Sequence, residues 1–90
     1  MKDPSSPVEV GKRLKAIRKA LNMRQSKLCQ LANISPQAWN NAETGDNLLT
    51  IPSAVELCRV TGATMDFIYR GQVSGLPALM LEKIMKADHA

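Results

Sequence analysis

Residues 24–45 read RQSKLCQLANISPQAWNNAETG, and this stretch decides the fold. Apolar residues at helical spacing predict a short helix over about residues 24–31. Asn33 tolerates the left-handed conformation, so the chain can turn sharply there. Ser35 has the chemistry of a helix N-cap, and Pro36 that of a first helical position. The stretch therefore predicts two short helices joined by a tight turn.

The second of these helices, expected over residues 36–43, has two different faces. Gln37 and Asn41 are four residues apart and share one face, while Trp39 lies on the opposite face and is expected to anchor the helix in the core. Glutamine and asparagine amides can bond bidentately to adenine in the major groove of DNA, which is about 12 Å wide and admits one α-helix. These amides indicate base readout, and ordinary solvent-facing polar residues are the alternative interpretation.

The rest of the domain predicts three further helices. Apolar spacing indicates a first helix over about residues 8–21. Thr50 and Thr64 are placed to cap a fourth and a fifth helix, which Gly62 and Gly71 are placed to end. The apolar residues expected inside are Val8, Leu14, Ile17 and Leu21 in the first helix and Ala54, Val55, Leu57, Cys58 and Val60 in the fourth.

Both ends of the chain differ from this helical middle. Residues 1–7, MKDPSSP, predict a flexible arm. Residues 73–90 predict a C-terminal extension that can be helical and has an apolar side. That side either folds back on the domain or meets a second copy of the chain, and we favour the second copy. Its apolar residues are Leu76, Leu79, Met80, Leu81 and Ile84.

Length and composition favour a single all-α domain. Ninety residues suffice for one modest core, and 44% of them are hydrophobic while only 3% are aromatic. A core of small aliphatic side chains favours short packed helices over a β-sandwich. The fold class expected from the sequence is therefore all-α.

The charges are distributed unevenly. The net charge is +4, but the segment from Gly11 to Ala42 contains seven bases and no acid, whereas the remainder contains five bases and eight acids. A basic run through three consecutive helices favours a polyanionic partner over a merely solvated helix face. The seven bases are Lys12, Arg13, Lys15, Arg18, Lys19, Arg24 and Lys27.

Several classes of function are disfavoured by the sequence. Cys29, Cys58 and His89 lack the spacing of a metal site, and two reduced thiols in the cytoplasm are favoured over a disulfide. No pairing of a base and a nucleophile indicates an enzyme, and no motif indicates a cofactor. No apolar run approaches the roughly 18–20 residues that a membrane span needs. We therefore expect a cytoplasmic protein with no metal, no cofactor and no enzymatic activity.

Three segments resemble the Cro/C1-type helix-turn-helix proteins, the phage repressor-like XRE family of prokaryotes and phages. They are RLKAIRKALNMRQSKLCQLANIS, WNNAETG and LTIPSAVELCRVTGATMDFIYRG. The resemblance runs from about Val8 to Gly71. It implies a five-helix, lambda-repressor-like DNA-binding domain over residues 8–72, followed by the short C-terminal helical extension.

The resemblance also implies roles for individual residues. A buried ion pair joins helix one to the end of helix three, which falls on Arg18 and Glu43. The base-reading positions fall on Pro36, Gln37 and Asn41, and proline there can offer only an apolar contact, for example to a thymine methyl group. The DNA-backbone positions fall on Gln25, Ser26, Lys27, Ser35 and Asn40, with Arg13 and Arg24 as electrostatic helpers.

The function that these residues indicate is sequence-specific binding of double-stranded DNA by a small transcriptional regulator, a repressor that acts as a homodimer. Two alternatives stay open. The chain can be the antitoxin of a toxin–antitoxin pair, with a protein partner bound through residues 76–86. It can also be a protein-interaction module that kept the fold and lost DNA binding.

Overall fold

Six α-helices form the structure of residues 3–88, the part of the chain that the computed structural model describes. No strand occurs within these residues, so the all-α fold class predicted from the sequence is confirmed. The helices are α1 (Pro7–Ala20), α2 (Gln25–Ala32), α3 (Pro36–Thr44), α4 (Ile51–Thr61), α5 (Met65–Arg70) and α6 (Ala78–Asp88).

Side-chain caps explain where most of the helices begin. The hydroxyl group of each capping residue accepts a hydrogen bond, of 3.0–3.3 Å, from the main-chain N–H three residues later. Helix α1 begins at Pro7, one residue before the predicted start at Val8. Ser6 caps the helix, and proline suits the first helical position. The capping residues are Ser6, Ser35, Thr50 and Thr64 for α1, α3, α4 and α5.

Part of the segment expected to form an arm, residues 1–7, makes contacts within the chain. Residues 1 and 2 lie outside the described part of the chain, and Asp3 accepts main-chain and side-chain hydrogen bonds from Ser5. The carbonyl oxygen of Pro4 also accepts a hydrogen bond of 2.6 Å from Arg13 Nη1. These contacts hold the chain just before α1 against the helix.

Helix α1 lies at the centre of the molecule and packs against α3, α5 and α6. At Gly11 the main chain of α1 lies very near that of α3. A Cβ atom built at this position would lie 2.5 Å from the carbonyl oxygen of Ala42 and 2.7 Å from that of Glu43. Only the absence of a side chain at Gly11 allows the end of α3 to lie this close to α1. The largest fully buried side chains are Trp39, Leu14, Ile17, Leu28, Leu57, Ile68 and Val10.

Helix α6 packs against α1 and completes the core. Leu76, Met80 and Ile84 are buried, whereas Leu79 is 63% exposed. The apolar side of the C-terminal extension therefore covers the chain's own domain, and the expectation that it meets a second copy is wrong for its buried residues. Since one side of a helix is covered in this way, the chain needs no partner to bury these three side chains.

Two of the expected core positions are exposed. Val55 is 50% exposed because the buried stripe of α4 runs through Ala54, Leu57 and Thr61, and Val55 lies off that stripe. Val8 is 53% exposed because it lies in the first turn of α1, before the helix reaches the core.

Candidate nucleic-acid interface

The turn between α2 and α3 fixes how these two helices cross. Asn33 has φ 55° and ψ 47°, the left-handed conformation expected for it, and ends α2. The main-chain N–H of Ile34 donates to the carbonyl oxygen of Cys29 at 3.0 Å, and the Ile34 side chain is 5% exposed. Ser35 then caps α3 through the N–H of Ala38 at 3.1 Å. A local turn with its own buried anchor therefore sets the direction in which α3 begins.

Helix α3 presents an apolar face to the core and a polar face to solvent. Trp39 is fully buried and Ala42 is 2% exposed, whereas Gln37 and Asn40 are exposed and Asn41 is partly exposed. Within residues 3–88, no hydrogen bond occupies the side-chain amides of these three residues. Each amide therefore keeps its donor and acceptor groups available for a ligand.

The exposed surface of α3 continues into a shallow cleft of about 380 Å³ beside the loop that leads to α4. Ala38 lines this cleft next to Asn41, and its small side chain allows close approach to the helix. Sequence reasoning missed Ala38, although its position three residues before Asn41 places it on the same face of the helix. The other lining residues are Asn47, Leu48, Leu49, Thr50 and Ser53.

A buried carboxylate lies beneath the polar face of α3. The Glu43 side chain is 5% exposed and forms a two-pronged ion pair with Arg18, with Nε–Oε2 of 2.8 Å and Nη2–Oε1 of 3.1 Å. Gln25 Nε2 donates to the same carboxylate at 3.2 Å, and the indole N–H of Trp39 donates to it as well. Pairing with arginine and two further donors compensates the cost of burying this charge.

The beginning of α2 combines open main-chain donors with positive charge. No side chain caps α2, whose N-cap residue is Arg24. Ser26 and Lys27 are exposed in its first turn. An uncapped helix N-terminus flanked by cations is a favourable place for a phosphate group. Since Gln25 reaches Glu43, this end of α2 lies beside the last turn of α3.

Arg13 and Gln25, both expected at the DNA backbone, donate hydrogen bonds within the domain. Arg13 Nη1 donates to the carbonyl oxygens of Pro4 and Ile68, at 2.6 and 2.8 Å, and the side chain lines a groove between α1 and α6. These contacts occupy the Arg13 guanidinium group within the domain. The Gln25 amide donates to Glu43 and is turned towards the interior of the molecule.

In the described residues, the sequence predicts neither a metal site nor a membrane-spanning helix. No group of three or more His, Cys, Asp or Glu residues in this part of the chain is arranged to hold a metal ion. Among the same residues, no helix is both long and apolar enough to cross a membrane. His89 lies outside the described residues.

Comparison with known families supports this interpretation of α2 and α3. A family model described as a helix-turn-helix domain, of the XRE/Cro-C1-like type, matches residues 9–66, which is well over half of the chain. The matched segment contains α2, the turn at Asn33 and α3. Searches of curated proteins and of solved structures gave no significant match. The chain belongs to this family of helix-turn-helix domains.

Proposed function

We propose that this protein binds double-stranded DNA at a specific sequence and represses transcription by occupying an operator. The observation that carries the proposal is the exposed face of α3, on which Gln37 and Asn41 present unoccupied amides while Trp39 holds the helix in the core. Membership of the helix-turn-helix family supports DNA binding by a regulator.

In this proposal the N-terminal half of α3 enters the major groove. Gln37 and Asn41 each bond to the edge of one base, and each good bidentate contact discriminates against the wrong base by about 1–3 kcal/mol. Pro36 is exposed at the start of the helix and contributes an apolar contact. Ser35 and Asn40 flank these positions and lie next to the DNA backbone.

The phosphate contacts of the proposal centre on the beginning of α2. The open main-chain N–H groups there bind one phosphate group, with Arg24 and Lys27 supplying charge and Ser26 a hydroxyl group. These contacts carry no sequence information, but they set the register of α3 in the groove. They also make binding depend on salt concentration.

A homodimer is part of this proposal. One helix of this length reads only a few base pairs, and two copies on half-sites about one helical turn apart multiply the discrimination. The proposal also places the protein in the cytoplasm, where a prokaryotic operator lies.

Selection from a random duplex library at about 150 mM salt tests the proposal. We expect a palindromic motif with wild-type protein, and relaxed preference at one position of each half-site with Gln37→Ala. The matched control is Gln72→Ala, because Gln72 is exposed in the segment between α5 and α6 and should not contact DNA. If folded wild-type protein selects no motif, the proposal is contradicted.

The same selection experiment, together with a test for a protein partner, distinguishes an antitoxin from a protein-interaction module. An antitoxin would select a motif and in addition form a stable complex with a separate protein through residues 76–86. A pure protein-interaction module would select no motif. In residues 76–86 the large exposed hydrophobic residues available to such a partner are Leu79 and Met85, at 63% and 55% exposure.

A further inference from the structure

Three helices contact one carboxylate in the centre of the domain. Arg18 on α1, Gln25 on α2 and Trp39 on α3 all donate hydrogen bonds to Glu43. Glu43 lies in the last turn of α3. Because hydrogen bonds to a charged group are stronger than those between neutral groups, Arg18 restrains α3 relative to α1, and Gln25 restrains it relative to α2.

The orientation of Gln25 matters for DNA binding because of where α2 begins. Gln25 is the first residue of α2, in the turn whose main-chain N–H groups are proposed to bind phosphate. Its side chain, however, donates to Glu43 Oε2 at 3.2 Å. Gln25 thus connects the phosphate-binding end of α2 to the last turn of the helix that is proposed to read bases.

Trp39 restrains the rotation of α3 about its own axis. Its indole ring is fully buried, and its N–H group donates to Glu43, one turn further along the same helix. Gln37 lies two residues before Trp39 and Asn41 two residues after it, on the opposite face. Any rotation of α3 that moves these amides must also move the indole ring out of its place in the core.

A small rotation is enough to lose base contacts. Side chains extend to about 5–6 Å from a helix axis, so a rotation of about 20° displaces an amide by about 2 Å. Hydrogen bonds to a base edge require distances of about 2.7–3.2 Å. Groups that limit the rotation of α3 therefore control how well Gln37 and Asn41 discriminate between bases.

We propose that Gln25 and Trp39 are positioning residues for base readout, acting through Glu43, and that the Gln25 side chain does not contact phosphate. This inference rests on the proposed function. Gln25 holds α2 at a fixed distance from the end of α3, and Trp39 fixes the rotation of α3. Phosphate binding at the beginning of α2 is left to its main-chain N–H groups and to Arg24, Ser26 and Lys27.

The test compares affinities for the selected operator and for a random duplex of equal length. Gln25→Met keeps the size of the side chain and removes the hydrogen bond to Glu43. We expect it to lower the ratio of operator affinity to random-duplex affinity by about five- to tenfold, with little change on the random duplex. Trp39→Phe, which removes the indole N–H, should lower the ratio in the same direction, measured below its melting temperature.

The matched control is Gln30→Met, because Gln30 is exposed on the same helix and its amide has no partner within residues 3–88. We expect its affinity ratio to stay within about twofold of wild type. Equal weakening of both duplexes by Gln25→Met would overturn the inference, since a side chain bound to phosphate acts on all sequences alike. An unchanged ratio would overturn it as well.

A second readout does not depend on DNA. Trp39 is the only tryptophan, so its indole N–H gives one proton resonance. Gln25→Met should shift this resonance, because Glu43 then bonds only to Arg18 and Trp39, while Gln30→Met should not. If wild-type protein selects no motif, the proposed function and the role in base readout fail together, whereas this resonance still tests whether Gln25 and Trp39 share Glu43. An unchanged resonance in Gln25→Met overturns the shared contact at Glu43.

Discussion

At the scale of single residues, Gly11 determines how closely α1 and α3 pack. The position is buried in the middle of a helix, where glycine normally costs about 0.5–1 kcal/mol relative to alanine. Here the main chain of α3 occupies the space that a side chain would need, since two carbonyl oxygens lie within 2.7 Å of the position that a Cβ atom would take. The usual preference for alanine should therefore be reversed.

Gly11→Ala is expected to lower the free energy of unfolding by about 1–3 kcal/mol, because main-chain atoms cannot move aside as a flexible side chain can. Chemical denaturation of the purified variant measures the change. Gly75→Ala serves as the control, since a Cβ atom there meets only Thr64 Cγ2 at an ordinary 3.5 Å. A Gly11→Ala variant as stable as wild type would show that α3 can move away without cost.

The two thiols give a second prediction at this scale. Burial raises the pKa of both Cys29 and Cys58 above the ordinary thiol value of 9.0, and the charge of Glu43 raises that of Cys29 further. The folded state thus favours the neutral thiols. Their contribution to stability is complete below pH 9 and decreases as the pH rises above it, because the unfolded chain ionises first.

We expect the urea midpoint, measured in reducing buffer, to be lower at pH 9.5–10 than at pH 8 and the fall to be smaller in the double variant Cys29→Ala, Cys58→Ala. Burial also raises the pKa of Tyr69 above 10.0, so a residual fall should remain at the highest pH. An equal fall in wild type and double variant would contradict the assignment to the thiols.

Residue-scale features were the hardest to predict from the sequence. The roles of Asn33 and Ser35 follow from local chemistry, and the structure confirms both. The importance of Gly11 depends on which main chain lies opposite, which no local pattern reveals. The Gln25 side chain could equally point to solvent or to Glu43 until the distance between α2 and α3 was known.

At the scale of secondary-structure elements, the starts and ends of the helices were largely predictable, but the packing of α6 was not. Thr50, Gly62, Thr64 and Gly71 mark the limits of α4 and α5 as expected, because caps act within one turn. The apolar spacing of α6 predicts that one side is covered. The spacing does not identify the surface that covers it, since α1 and a second copy of the chain can each provide an apolar surface.

The packing of α6 predicts unequal effects for two neighbouring side chains. Met80→Ala should lower the free energy of unfolding by about 2–5 kcal/mol, because Met80 is buried and its loss leaves a cavity. Leu79→Ala should change it by less than about 0.5 kcal/mol, because Leu79 is exposed. Urea denaturation at several protein concentrations measures both. If the urea midpoint rises with protein concentration in wild type, and this dependence is lost in Met80→Ala, then Met80 lies at an interface between copies.

At the scale of the whole molecule, folding reduces the number of cations available to a polyanion. Of the seven bases between Gly11 and Ala42, Arg18 pairs with Glu43, and Arg13 donates to two carbonyl oxygens. Lys12 lies 3.0 Å from Glu9. The remaining four are exposed and form no ion pair within residues 3–88, and they are Lys15, Lys19, Arg24 and Lys27.

This reduction predicts the salt dependence of DNA binding. Arg24 and Lys27 are the exposed bases in the cap and first turn of α2, at the proposed phosphate site. Two contacts from each copy give about four per dimer, and the logarithm of the binding constant should fall against the logarithm of salt concentration with a slope of about −4. If all seven bases of each copy contacted phosphate, the slope would be steeper than about −12.

Lys27→Ala should therefore reduce the slope to about −2, because each copy in the dimer loses one charge next to phosphate. Dissociation constants for the selected operator between about 50 and 200 mM salt measure the slope. Lys83→Ala is the control, since Lys83 is exposed on α6, which packs on α1. It removes the same charge from the whole molecule and should leave the slope near −4. Equal reductions in the two variants would mean that the net charge, and not the site at the beginning of α2, attracts the DNA.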